Sequence, residues 1–93
     1  MQRRIHLRIT GRVQGVCYRA HASDQAQALG LSGWVRNRLD GSVELVAEGD
    51  EPALRALVDW CHDGSPWAAV DGVKQEWADA TGEHTGFQVT PTR

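Results

Sequence analysis

From Arg4 to Thr10 the chain alternates strictly, with Ile5, Leu7 and Ile9 apolar and His6, Arg8 and Thr10 polar. A period of two sends successive side chains to opposite faces, so this stretch predicts a strand with one wet face. Alternation stops beyond the glycine-bounded segment Gly11 to Gly15. Tyr18 to Leu29, rich in Ala and Gln and followed by Gly30, reads as a helix with a glycine C-cap. Trp34 to Arg38 and Ser42 to Glu48 read as two strands of a hairpin. Asp40-Gly41 between them is expected to supply the positive φ angles of a tight turn. Leu54, Leu57, Val58 and Cys61 then recur at helical spacing. Asp50 stands ahead of them as an N-cap able to accept hydrogen bonds from free amides, Pro52 lies in the first turn, and Gly64 and Pro66 stop the helix. Val70 to Ala78, interrupted by Asp71 and Gly72, and a short Phe87 to Val89 read as closing strands.

The element order is therefore β-α-β-β-α-β with a short extra strand. Two helices on one face of an antiparallel sheet cover such amphipathic strands economically, which is the α/β (α+β) sandwich of the ferredoxin-like, split-βαβ plan. With 93 residues, no repeat and no linker-like tract, residues 1–93 are expected to form one domain. A chain with 41% hydrophobic and 24% charged residues can build a core at this size. No stretch approaches the roughly 18 apolar residues of a membrane span, and the opening residues carry no apolar leader. A soluble, cytoplasmic protein is the expectation.

Charge is unevenly spread. Residues 1–40 hold seven arginines against Asp24 and Asp40, a surplus of five, whereas residues 41–93 hold three cations against ten acids, a deficit of seven. Nine of the ten cations are Arg, whose rigid fork suits phosphate or carboxylate, so the amino-terminal half could face a small anion. Two solvated faces of opposite charge are the competing explanation. Cys17 and Cys61, in a chain without a secretion signal, read as free thiols.

Gly11-Arg12-Val13-Gln14-Gly15-Val16-Cys17-Tyr18-Arg19 joins a strand to a helix. Helix N-termini leave amides unpaired, with positive dipole character. Gly15 allows close backbone approach, successive amides can form a nest, and Arg19 adds a guanidinium, so the turn can receive a phosphate or carboxylate. A turn with no ligand fits these generic features as well. Several sharper chemistries fail on spacing. There is no Lys for a Walker loop, and one residue between Cys17 and Arg19 is too few for a phosphate-wrapping thiol phosphatase loop. His6, His21, His62 and His84 form no metal-binding spacing, and no serine sits in a nucleophile context. Metal ligation by Cys61-His62 is disfavoured for the same reason.

The same segment resembles the acylphosphatase signature G-x-V-Q-G-V-x-F-R. Gly33-Trp34-Val35-Arg36-Asn37 followed by Asp40-Gly41 is similar to that family's second block, G-W-V-x-N-x-x-D-G. The likeness extends through Glu48-Gly49, the second helix and Ala69-Val70, nearly the whole chain. It implies the ferredoxin-like fold and hydrolysis of the carboxyl–phosphate bond of a small acylphosphate, without metal or organic cofactor and with inorganic phosphate as product. It further implies that Arg19 is the catalytic, phosphate-binding arginine and that Asn37 positions the attacking water. Gly15, Val16, Cys17, Tyr18 and Arg19 would form the phosphate cradle. The proton of the water would pass to the substrate's own phosphate, so neither block needs an acid or a base. Such chemistry asks for charge stabilisation and alignment.

Two positions depart from the pattern. Tyr18 stands for the usual Phe and brings a hydroxyl that needs a partner if buried. Ser65 stands where Pro is common, in a region that reads as remote from the chemistry. Arg12, Arg36 and Arg38 read as solvated strand-face arginines rather than steering charges. The alternative function is a non-catalytic anion- or RNA-binding module of the same fold. Against it, the first strand offers no stacking aromatic, and a binder needs no water-positioning amide. Nucleic acid, membrane and an obligate protein partner are accordingly not expected.

Overall fold

The computed structural model describes residues 2–93. Its elements run β1 (Gln2–Arg12), α1 (Tyr18–Ala28), β2 (Ser32–Asn37), β3 (Val43–Asp50), α2 (Glu51–Asp63), β4 (Ala69–Asp79) and β5 (Phe87–Val89). The sheet order is β4-β1-β3-β2-β5. As the alternation requires, Ile5, Leu7 and Ile9 are fully buried on one face of β1, and Val43, Leu45 and Ala47 of β3 lie beside them. Both helices cover that face. α1 presents Tyr18, Ala22 and Ala26, one side chain per turn, and α2 presents Leu54, Leu57, Val58 and Cys61. The small alanines let α1 lie close to β2 and β5, and the longer side chains of α2 fill the space above β1, β3 and β4.

Three expectations need correction. The sheet is mixed rather than antiparallel, because β5 pairs parallel with β2 at the edge opposite β4. Glu48 of β3 holds the connection between β4 and β5: its carboxylate accepts hydrogen bonds from the Thr81 amide and hydroxyl and from the Gly82 amide. Burial alone would raise the Glu48 pKa, but these bonds favour the charged form and hold it below the ordinary value. Second, Asp50 takes the N-cap backbone conformation, yet its side chain makes no cap bond and instead accepts from Gln2 Nε2 at 3.0 Å. Third, the β2–β3 connection is wider than a two-residue turn. Only Gly41 has positive φ there, while Asp40 Oδ1 accepts from the amide and hydroxyl of Ser42. An aspartate that closes its own turn through its side chain does not need the left-handed conformation. The interruption read at Asp71 and Gly72 is a bulge within the continuous β4: Thr10 faces Gly72 and Gly11 faces Val70, which leaves Asp71 as the extra residue.

Candidate active site

The carboxyl ends of β1, β2 and β5 lie at one end of the sheet, and the segment from Val13 to Cys17 turns there into α1. Gly15 has φ +75°, and a Cβ at that position would meet no protein atom within 4 Å. The backbone conformation, not crowding, demands glycine, and its open side is the side from which a ligand can approach. Cys17 is the only non-glycine residue with positive φ among the described residues, at φ 60° and ψ 23° as the N-cap of α1. Its side chain makes no cap bond, and the first turn of α1 holds no acid. The amides opening this helix therefore keep their donor capacity and the positive end of the helix dipole.

An open cavity of about 420 Å³ lies against this turn. Gly15, Cys17, Tyr18, Arg19 and Ala20 line it from the turn and α1, Asn37 from the end of β2, and Val89 from β5, with Val13 completing it. Arg19 and Asn37, 18 positions apart in sequence, share one cavity. Among the described residues the half-buried Arg19 has no ion-pair partner. Asn37 Oδ1 is the single buried side-chain polar atom among them without a hydrogen-bond partner. A depression of the same volume on the open face of the sheet, between Arg8 and Lys74, holds no unpartnered buried polar atom, and Arg8 there is paired with Asp40.

Of the residues singled out in sequence, Val16 alone does not line the cavity. Its side chain is buried in the core, and its carbonyl accepts a hydrogen bond from Ser65 Oγ at 2.5 Å. Ser65 is thus in contact with the turn, contrary to the expectation that it is remote. The Tyr18 hydroxyl finds its partner in the Cys61 carbonyl at 2.8 Å, and burial pushes its phenol pKa far up. Burial also pushes the Cys61 thiol up to about 12, so it stays protonated at neutral pH, and both cysteines are free. Arg36 and Arg38 pair with Glu44, and Arg36 also lies over the Trp34 ring, 4.6 Å from its centroid; these strand-face arginines are paired rather than merely solvated. No group of three or more His, Cys, Asp or Glu side chains suited to a metal ion occurs among the described residues. No helix among them is long and apolar enough to cross a membrane.

Sequence reasoning gave no role to Gln14, Ser65 or Val89. Gln14 Nε2 donates to the carbonyls of Arg38 and Ser42 at 2.7 and 2.9 Å, tying the turn to the connection that follows Asn37. A long amide between two glycines was the available signal for it; a buried serine bonded to a distant carbonyl leaves none.

The family model for acylphosphatase matches residues 5–89. The chain is 51% identical over 86 residues to an acylphosphatase of Pelotomaculum thermopropionicum, covering 92% of this chain and 94% of the relative. It is 53% identical over 87 residues to that of Methylococcus capsulatus, covering 94% and 95%. The crystal structure of acylphosphatase from Bacillus subtilis superposes with a TM-score of 0.92 at 35% identity, covering 95% of this chain and 98% of that one. Similarity of this extent, joined to a cavity that gathers an arginine, a helix N-terminus and an unsatisfied amide oxygen, establishes that the chain belongs to the acylphosphatase family and is an enzyme of that class.

Proposed function

We propose that the phosphoryl group of an acylphosphate binds at the turn between β1 and α1. The backbone amides of residues 15–19 and the Arg19 guanidinium then hold its oxygens, and Asn37 orients the attacking water. The carrying observation is the buried, unpartnered Asn37 Oδ1 in the same cavity as the unpaired Arg19. An amide oxygen accepts a hydrogen bond from one O–H of water and so leaves a water lone pair free to meet phosphorus. The phosphorus–oxygen bond to the acyl group breaks as the bond to the water oxygen forms. The carboxylate leaves without needing a proton, and the proton of the water goes to a phosphoryl oxygen. Arg19 and the amides stabilise the charge spread over the phosphoryl oxygens, the main demand of this transition state. No metal or cofactor takes part, and the whole chain works as one domain on a small-molecule substrate, without nucleic acid, membrane or obligate protein partner. Two free thiols are in keeping with work in the reducing cytoplasm.

Hydrolysis of acetyl phosphate by the purified chain tests this reading. Inorganic phosphate should inhibit competitively, and EDTA should leave the rate unchanged. Arg19→Lys should lower kcat/KM at least about a hundredfold, about 2.7 kcal/mol, because a compact ammonium cannot reproduce a two-point grip. A folded Arg19→Lys variant with near-normal turnover would overturn the assignment.

A further inference from the structure

We propose that Ser65, in the segment after α2, is a positioning residue for the reaction: its hydroxyl holds the Val16–Cys17 peptide in the orientation that aims the Cys17 amide at the phosphoryl group. The inference rests on the phosphate site proposed above.

Ser65 is 2% exposed, and its Oγ donates to the Val16 carbonyl at 2.5 Å. In a planar trans peptide the C=O and the following N–H point in opposite directions. A Val16 carbonyl directed at Ser65 therefore turns the Cys17 N–H away from Ser65. Cys17 lines the cavity, whereas Val16 does not. The arrangement opposes the local backbone preference, because Cys17 is left-handed at φ 60°, a conformation that side chains with a Cβ resist. Rotation of the Val16–Cys17 peptide by half a turn would return Cys17 to negative φ. It would also swing the amide out of the cavity and put the Val16 carbonyl, a repulsive group for phosphate, in its place. The hydrogen bond to Ser65 opposes that rotation, and the carbonyl would otherwise lose its partner in a buried setting, which is costly.

The residue after Cys17 is anchored from the same side. The Tyr18 hydroxyl bonds the Cys61 carbonyl, and its ring lies so close to Gly64 that a Cβ there would come within 2.6 Å of Cε2. The end of α2 thus fixes the chain on both sides of Cys17, leaving the peptide orientation as the freedom that Ser65 removes.

The test measures the dissociation constant of inorganic phosphate and acetyl phosphate kinetics for wild type, Ser65→Ala, Cys17→Gly and the double variant. Ser65→Ala should weaken phosphate binding about tenfold and lower kcat/KM in step. Glycine adopts the left-handed conformation without penalty, so Cys17→Gly in the Ser65→Ala background should recover at least threefold of the lost affinity. Loss of a packing group would not be cured at a different residue. Affinity within twofold of wild type for folded Ser65→Ala, or no recovery in the double variant, would overturn the proposal. The wild type alone provides a second test that holds if Ser65→Ala does not fold. Phosphate should move the Cys17 amide proton resonance strongly downfield, and an unmoved resonance at saturating phosphate refutes the orientation. A wild type that neither binds phosphate nor hydrolyses acetyl phosphate would instead strike the underlying reading of the site.

Discussion

Asn37→Ala separates water positioning from anion binding, and the structure sets the direction of each effect. Asn37 Oδ1 is buried without a protein partner, so truncation breaks no hydrogen bond made by that atom. It also removes a desolvated acceptor, a feature that costs about 1–3 kcal/mol when left unsatisfied. Even with the low end of that range offset by lost packing, the variant should be no less stable than wild type. A gain of about 1 kcal/mol would raise the melting temperature by about 4–8 °C for a chain of this size. Catalysis should move the other way. On the role proposed for Asn37, its loss exchanges an oriented water for a mobile one, and kcat should fall about a hundredfold, about 2.7 kcal/mol. Phosphate affinity should stay within about threefold, because Arg19 and the amides opening α1 are untouched. The assay pairs thermal melts and acetyl phosphate kinetics with phosphate titration of the same preparation. If Asn37 served mainly to shape the end of β2, stability and activity would fall together. That outcome, or retained turnover, refutes the role assigned to it.

Three further outcomes follow from individual contacts. Gln14→Ala breaks two hydrogen bonds to the β2–β3 connection, so kcat should fall several-fold while the phosphate dissociation constant changes less, as steady-state kinetics and titration will show. Glu44 is held at about 2 against an ordinary 4.5: burial pushes its pKa up, but hydrogen bonds from His6, Arg36 and Arg38 and the charge of Arg36 outweigh it. A depressed carboxylate stabilises the fold above its unfolded pKa and loses that contribution as pH falls through its folded pKa. The melting temperature of wild type should therefore exceed that of Glu44→Gln by a full margin above about pH 4.5, and the margin should close towards pH 2; a constant gap across that window would contradict the linkage. Ala20→Glu should place a carboxylate in the first turn of α1, beside Arg19, weakening phosphate binding at least tenfold while stability holds or rises slightly, because acids suit a helix N-terminus; unchanged phosphate affinity in titration would count against the location of the site.

Legibility in the sequence followed how local the cause was. β1 announced itself because burial on one face alone writes a period of two, and α2 because its apolar residues must all face the sheet. α1 carried a weaker pattern, its buried face being mostly alanine. β5 is three residues long and pairs with a strand more than fifty positions earlier, so its parallel direction depends on a crossover that periodicity cannot record. The convergence of Arg19 and Asn37 was equally hidden from local rules. The likeness of two short blocks to a family pattern suggested it, and the topology then brings the ends of β2 and α1 together. Ser65 looked incidental because the contact that matters is with a backbone carbonyl 49 positions away, and a carbonyl has no letter in the sequence.

The charge split along the chain acquires a physical sense from strand pairing. Glu44 of β3 meets Arg36 and Arg38 from the β2 side and His6 from β1, and Glu51 at the start of α2 meets Arg3 and Arg55. Three of the seven arginines of the first half, Arg3, Arg36 and Arg38, are thus answered by acids from the second, and Arg8 by Asp40 of its own half. Arg19 keeps its charge because the first turn of its helix contains no acid, and the positive end of that helix adds to it. A site for a phosphoryl group needs that residual charge, for an internal carboxylate would occupy the place of the substrate. An acidic protein can therefore keep a cationic pocket: what matters is the charge left unpaired at the cavity, not the sum over the chain.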